Sequence, residues 1–269
     1  IDTGRGRNLV AAGAVLALAF TTKENALVYV GMFVGATALL FDARLFTARD
    51  RGESWRSTAR DHASRTARGL WAWRRSLVGA AAAFLVVFVV FYAPRPAFYQ
   101  AFSTPSKLPG ALAAGTVGAV EELWGIWGVG GSASRDHSYV AFLSDAVETM
   151  GSTALVVSVA GVLGFLAERY VADERRDLVL FAGYWAFASV VVYPAVTDIS
   201  GVWSVTHAVV PLAIPAAVGV GMVVHVGRRS LESDDKAGVA LAALVVLALV
   251  AQVGVVTAET SFVMPQEEK

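Results

Sequence analysis

Residues 18–30 read LAFTTKENALVYV, a polar break between two apolar runs. The run before the break covers residues 8–20 and the run after it covers 26–41, and both consist almost entirely of Ala, Val, Leu, Gly and Phe. The adjacent Lys23 and Glu24 are costly to place at the edge of the hydrocarbon, so such residues usually line a cavity or meet a charged ligand. The break predicts two membrane segments with a polar site at their junction, or a polar turn from which Lys23 reaches water.

The composition of the whole chain is that of a membrane protein. Of its 269 residues 56% are hydrophobic and 16% are charged, whereas a soluble domain carries about a quarter charged residues. A helix needs about 20 apolar residues to cross the hydrocarbon. Five further runs reach or approach this length: 76–93, 152–167, 178–196, 205–226 and 237–257. We predict an all-α polytopic transmembrane helix bundle with about seven membrane segments, forming one domain over residues 1–269.

Basic residues are distributed unevenly between alternate loops. Cytoplasmic loops carry an excess of Lys and Arg. The segments 1–7, 42–75, 168–177 and 227–236 hold 17 of the 22 basic residues, and the intervening segments hold five. The sequence therefore places the Arg-rich loop 42–75 in the cytoplasm and the long loop 94–151 outside. Because topology explains the basic loop and the formal net charge is zero, we expect a lipid bilayer and no nucleic acid as a partner.

Both long loops contain helical periodicities. In the cytoplasmic loop an apolar residue recurs every four positions from Trp55 to Trp71, which fits either an amphipathic helix on the inner leaflet or a solvated connector. In the outer loop Gly110–Trp127 has a one-sided apolar stripe with Glu121 and Glu122 beside it. This stripe predicts one helix lying flat at the outer interface.

Two further groups of residues are candidates for ligand binding. The outer loop ends, before a helix that we predict to begin near Gly151, in Arg135, Asp136, His137, Tyr139, Asp145 and Glu148. A cation there suits a phosphate and the carboxylates suit a sugar or a metal, although an ordinary solvated loop would look the same. The sixth run opens with Trp203, His207, Pro211 and Pro215 at intervals of four. His207 would serve a ligand or an interhelical hydrogen bond.

The chain has no cysteine, no phosphate-binding glycine loop and no zinc signature. Thiol chemistry is therefore excluded, and nothing points to nucleotide binding. We expect no cofactor and assign no metal ligand, although the outer carboxylates leave a divalent cation open.

Three short motifs carry a resemblance to a known family. They are Leu18–Ala26, the stretch from Trp124-Gly125 to Arg135-Asp136-His137-Ser138-Tyr139, and Trp203 with His207 and Pro211. In this order they resemble motifs of GT-C membrane glycosyltransferases, in the archaeal flippase-activity-associated branch related to protein mannosyltransferases. That branch tends to show a Glu-Lys pair and a Pro before the later Trp, whereas this chain has Ile199-Ser200-Gly201-Val202.

The resemblance implies a multi-pass cell-membrane protein with an outward-facing pocket for a polyprenyl- or dolichyl-phosphate-linked sugar. Other membrane proteins of the glycosylation pathway are implied as partners. Substrate binding would fall to Lys23, Glu24, Arg135, Tyr139, Glu148 and His207. The family's acidic general base lies in an outer loop upstream of these motifs, so we expect a fragment that lacks its N-terminal part, and we assign no catalytic residue. A non-enzymatic lipid-carrier flippase or its accessory subunit is the alternative, and a bundle without a ligand is a third.

The predicted topology can be tested with single cysteines at Ser64 and Ser134. We expect a membrane-impermeant thiol reagent to label them from opposite sides, because one lies in the Arg-rich loop and the other in the basic-poor outer loop. Labelling of both from outside would contradict the assignment.

Overall fold

The computed structural model describes residues 5–22, 26–125, 138–196 and 202–259, and every regular element among them is helical. The all-α prediction is therefore confirmed. The α-helices are α1 Gly6–Thr22, α2 Ala26–Asp50, α3 Trp55–Tyr92, α4 Arg95–Ser103, α5 Leu108–Ala113, α6 Ala119–Trp124, α7 Tyr139–Thr153, α8 Leu155–Tyr170, α9 Asp177–Val196, α10 Val202–Glu232 and α11 Lys236–Ala258.

Five of the described helices are long and apolar enough to cross a membrane: α2, α3, α9, α10 and α11. The pair α7 and α8 passes the same test together, but the two helices meet at an angle of 102°. Helix α1 has 17 residues, which at about 1.5 Å per residue reach about 25 Å against a hydrocarbon core of about 30 Å. The chain is a multi-pass membrane protein, and the shortest of its seven predicted segments forms a short apolar helix.

The predicted helix start near Gly151 is wrong. Helix α7 already begins at Tyr139, and the Ser138 hydroxyl caps it by accepting a hydrogen bond from the Ala141 N–H at 3.3 Å. The helix then stops at Ala154, whose backbone (φ −140°, ψ 29°) is not helical. The predicted run 152–167 therefore crosses a helix break.

The break between α7 and α8 has a local and a distant cause. The hydroxyls of Ser152 and Thr153 donate to the carbonyls of Glu148 and Thr149 at 3.1 and 2.6 Å, a pattern that weakens and bends helices. The first turn of α8 then needs partners for its backbone N–H groups. The Gln252 side chain of α11 supplies one by accepting from the Val156 N–H at 2.8 Å.

The segment predicted as the cytoplasmic loop 42–75 is largely helical. Helix α2 continues to Asp50. Two residues later, Gly52 has a left-handed φ of 71° and terminates the helix. The N–H groups of Gly52 and Glu53 donate to the carbonyls of Arg49 and Ala48 at 3.0 and 2.8 Å. This is a Schellman cap, for which glycine is the favoured residue. The cap turns the chain directly into α3.

Helix α3 runs without a break from Trp55 to Tyr92, so no separate interfacial helix is present among residues 55–75. The helical periodicity from Trp55 to Trp71 does correspond to a helix, and its place on the inner leaflet or in water stays a prediction. A spacing of four also drifts by about 40° per step at 3.6 residues per turn. Over the four steps from Trp55 to Trp71 the drift approaches half a turn, and the two tryptophans do not share one face. Both are exposed.

The predicted outer helix Gly110–Trp127 is helical as far as the structure describes it. Helix α5 passes through a π-helical turn at Ala114–Gly118 into α6. A methyl group at Gly115 would lie 3.0 Å from the Ala93 Cβ, at the end of α3. The face that packs is therefore made of small residues, and the predicted apolar stripe at Leu112, Val120 and Trp124 is exposed. This segment is not among the helices able to span a membrane.

The chain forms two compact units. The first contains Ile1–Gly31 and Arg44–Arg135, and the second contains Met32–Ala43 and Asp136–Lys269. Helix α2 contributes residues to both.

In the first unit α1 packs in parallel on α3 through small residues. A methyl group at Gly13 would lie only 2.3 Å from the Ala80 carbonyl oxygen. Further along both helices, Phe20 packs against Phe84, and the Tyr92 hydroxyl donates to the Phe20 carbonyl at 2.6 Å.

In the second unit α8 and α10 touch backbone to backbone. A methyl group at Gly164 would lie 2.0 Å from the Pro215 carbonyl oxygen, and one at Gly219 would lie 2.3 Å from the Ala160 carbonyl oxygen. Small residues that let helix backbones approach are the usual basis of helix association in membranes.

An ion pair between a buried carboxylate and an exposed guanidinium closes the turn between α8 and α9. The Glu168 side chain is 1% exposed and accepts hydrogen bonds from the Arg176 backbone N–H and from its guanidinium, whose Nε lies 3.1 Å away. The hydrogen bond from its guanidinium to Glu168 raises the pKa of Arg176, because it favours the charged form. The pair fixes the start of α9 against the end of α8.

Two glycines in α10 provide a matched test of the helix contact. We expect Gly219→Ala to lower the free energy of unfolding in detergent by about 1–3 kcal/mol, because the methyl group overpacks the contact with α8. Gly221 has no heavy atom within 4 Å of an added methyl group. Gly221→Ala should therefore raise it by about 0.5–1 kcal/mol through helix propensity. Equal effects would refute the contact.

Candidate functional site

The last turns of α9 bring together two of the residues that the sequence singles out. The His207 ring stacks on the Tyr193 ring with 4.5 Å between centroids and an interplanar angle of 1°. The Tyr139 hydroxyl donates to the Val191 carbonyl oxygen at 3.0 Å. Side chains from α7 and α10 thus meet at one end of α9. We call Tyr139, Tyr193, Trp203 and His207 the aromatic cluster.

Local structure explains how these side chains reach α9. Tyr139 is the first residue of α7, directly after the capping Ser138. Trp203 and His207 lie four residues apart in the first two turns of α10, so they share a face. The Trp203 ring meets the His207 ring edge-on, with 6.3 Å between centroids and an angle of 81°.

The aromatic cluster combines one buried ring with two exposed ones. Tyr193 is 2% exposed, whereas Tyr139 is 39% and Trp203 is 41% exposed. Tyr and Trp favour the membrane–water interface, where one end of the ring is apolar and the other is wet. The arrangement suits a ligand with both apolar and polar parts.

Glu148 does not join the aromatic cluster. It lies nine residues beyond Tyr139, about 13 Å along the same helix. Glu148 and Asp145 are both exposed, whereas Phe142 on the packed side of α7 is buried. Within the described ranges no three His, Asp or Glu side chains are grouped to hold a metal ion.

Three predicted site residues, Lys23, Glu24 and Arg135, lie outside the described residues.

Sequence reasoning missed Tyr193, on which His207 stacks. Tyr193 stands near the end of an apolar run and directly precedes Pro194. Aromatic residues at such ends belong to the interfacial belt, and this position is the signal that marks Tyr193. A tyrosine in an apolar run attracts less notice than a histidine, because it carries no charge.

No protein-family model matches the chain, and neither a curated protein nor a solved structure is significantly similar to it.

The hydrogen bond between Tyr139 and α9 can be tested by removing one oxygen. We expect Tyr139→Phe to lower the free energy of unfolding by about 0.5–1.5 kcal/mol, the net value of a typical hydrogen bond. Tyr99, which is 62% exposed on α4, is the control, and Tyr99→Phe should leave stability within about 0.5 kcal/mol. Equal values for the two variants in a denaturant titration would contradict the bond.

Proposed function

We propose that the chain is part of a GT-C type membrane glycosyltransferase. It transfers a sugar from a polyprenyl- or dolichyl-phosphate carrier on the extracytoplasmic face. One observation supports this proposal: Tyr139 and His207 belong to two of the motifs that carry the resemblance, and both reach the end of α9. Motifs far apart in sequence whose residues contact the same end of one helix are consistent with a shared binding site.

In the proposed reaction the charged residues and the aromatic residues have different roles. Transfer of a sugar needs a base that activates the acceptor and a group that stabilises the leaving phosphate. Lys23 and Arg135 would bind the phosphate, and Glu24 would orient Lys23 or bind a sugar hydroxyl. His207 would donate a hydrogen bond to the bound donor, while Tyr139 and Trp203 would contact its apolar and sugar parts. The base would come from sequence upstream of this chain.

The polarity of the described core favours this proposal over the flippase. A flippase needs a polar route for a charged headgroup between the two leaflets. The buried polar residues among the described ranges are Glu168, Ser189, Ser204 and Ser230. Glu168 is the charged member of this group, and it is already bonded to Arg176.

The proposal is tested by a sugar-transfer assay with the full-length protein and a polyprenyl-phosphate-linked sugar. We expect Lys23→Ala to lower kcat by about 10²–10³, the usual effect of removing a group that stabilises developing charge. Lys23→Arg should restore part of the rate, since a planar fork binds phosphate differently from a point charge. Lys107→Ala is the control, because Lys107 is exposed and bonded to Gln100.

A second pair of variants in the same assay addresses the aromatic cluster. His207→Ala should reduce transfer, whereas His225→Ala, which changes an exposed histidine of the same helix, should not. Full activity of both Lys23→Ala and His207→Ala would overturn the proposed function.

A further inference from the structure

The second unit contains a cavity whose lining includes Val190 and Ala208, the sequence neighbours of Val191 and His207. Its volume is about 520 Å³, and it is lined by residues of α2, α7, α8, α9 and α10. Ligand sites in proteins measure about 300–1,000 Å³ and are mainly apolar with a few polar groups. This cavity fits that description, because aliphatic and aromatic side chains make up most of its wall and a small number of polar residues complete it.

Part of the cavity lining is exposed at the surface of the second unit. Val162 and Leu166 of α8 and Phe187 of α9 line it and are 51%, 42% and 64% exposed. All three belong to apolar membrane helices. Exposed apolar residues within a membrane segment contact hydrocarbon chains, so lipid chains have direct access to this part of the lining.

The length of the cavity matches one leaflet. Its lining residues on α8 run from Ser158 to Tyr170, which corresponds to about 18 Å at about 1.5 Å per residue. The hydrocarbon core of a bilayer is about 30 Å thick, so one leaflet contributes about half of that. A space with a lining of this extent offers room for a single hydrocarbon chain.

One end of the cavity is polar. The Arg169 guanidinium donates to the Asp42 carboxylate at 2.8 Å and lies over the rings of Tyr170 and Tyr184, 5.4 and 5.6 Å from their centroids. Asp42 and Arg169 neutralise each other, so the end is polar without a net charge. It lies beside the 168–177 segment, which the distribution of basic residues places in the cytoplasm.

Tyr184 gives an independent sign that the cavity receives a ligand. The residue is 7% exposed, and its hydroxyl is buried and has no hydrogen-bond partner among the described residues. Buried tyrosine hydroxyls usually find a partner. The oxygen atoms at the junction of a lipid headgroup and its chains are acceptors that a chain in this cavity would carry to the same polar end.

We propose that this cavity binds one hydrocarbon chain of a phospholipid from the cytoplasmic leaflet, with the headgroup junction at Asp42 and Arg169. The polar end lies near the start of α9, where Leu180 and Tyr184 pack against Ala43. The aromatic cluster lies at the other end of the same helix. The proposed lipid enters from the cytoplasmic leaflet, whereas the proposed sugar carrier is bound on the extracytoplasmic face, and this inference stands whether or not the chain is a glycosyltransferase.

The test uses the full-length protein in nanodiscs that contain phosphatidylglycerol with a photoreactive group in one chain. We expect crosslinks to map to α8 and α9 and to fall about tenfold in Val162→Trp, because the indole occupies space that the hydrocarbon chain would fill. Val159 is the matched control. It is a valine of the same helix, is 50% exposed and does not line the cavity, so Val159→Trp should retain the crosslinks.

A second cavity variant, Leu166→Trp, guards against a folding defect in the first, and the elution volume of each variant confirms its fold. Equal labelling of Val162→Trp, Leu166→Trp and Val159→Trp would mean ordinary contact with surrounding lipid and would overturn the proposal. Equal loss in all three would do the same. A photoreactive polyprenyl phosphate that labels the cavity and resists competition by phospholipid would also overturn it, and would assign the cavity to the carrier lipid.

Discussion

The backbone contact between α8 and α10 is the constraint on which the second unit depends. Lipid tails are as apolar as leucine, so hydrophobicity alone does not hold membrane helices together, and association relies on close packing. Gly164 and Gly219 allow the two backbones to meet without an intervening side chain. One residue further along α8, Phe165 packs edge-on against Tyr184 of α9 with 5.2 Å between ring centroids. The same contact therefore holds α8 in the position from which it lines the cavity and supports α9.

Much of the fold follows from hydropathy, and the parts that do not follow have definite physical causes. Long apolar runs predicted the spans α2, α9, α10 and α11 because burial in hydrocarbon requires length. The helical extension of α3 before residue 76 is not an apolar run, and its apolar residues at every fourth position fit a connector as well as a helix. The break at Ala154 depends on Ser152 and Thr153 bonding to their own helix and on Gln252, which lies 96 positions from its partner. A scan of apolar runs does not register either cause.

The candidate site is likewise predictable from the sequence only in part. His207 was predictable because a polar ring in an apolar run needs a partner, and the structure supplies Tyr193. Tyr139 was predictable from its motif, but its bond to the Val191 carbonyl was not, because a backbone acceptor has no sequence signal. Glu148 shows the limit of reasoning from charge. A carboxylate in a helix is located by its face as well as by its position, and Glu148 shares the exposed face with Asp145.

The hydrogen bond from the Val156 N–H to Gln252 sets an order for biogenesis. Helix α8 leaves the ribosome long before α11, yet α11 carries the side chain that completes the first turn of α8. In lipid an unsatisfied backbone donor costs several kcal/mol. Until α11 is made, the Val156 N–H in the first turn of α8 therefore needs another partner, which water or the insertion machinery supplies. Helix α11 therefore does more than add one crossing, because it completes the first turn of a helix made much earlier. A defect in α11 leaves that turn incomplete late in synthesis, which gives the quality-control machinery of the cell a specific fault to recognise.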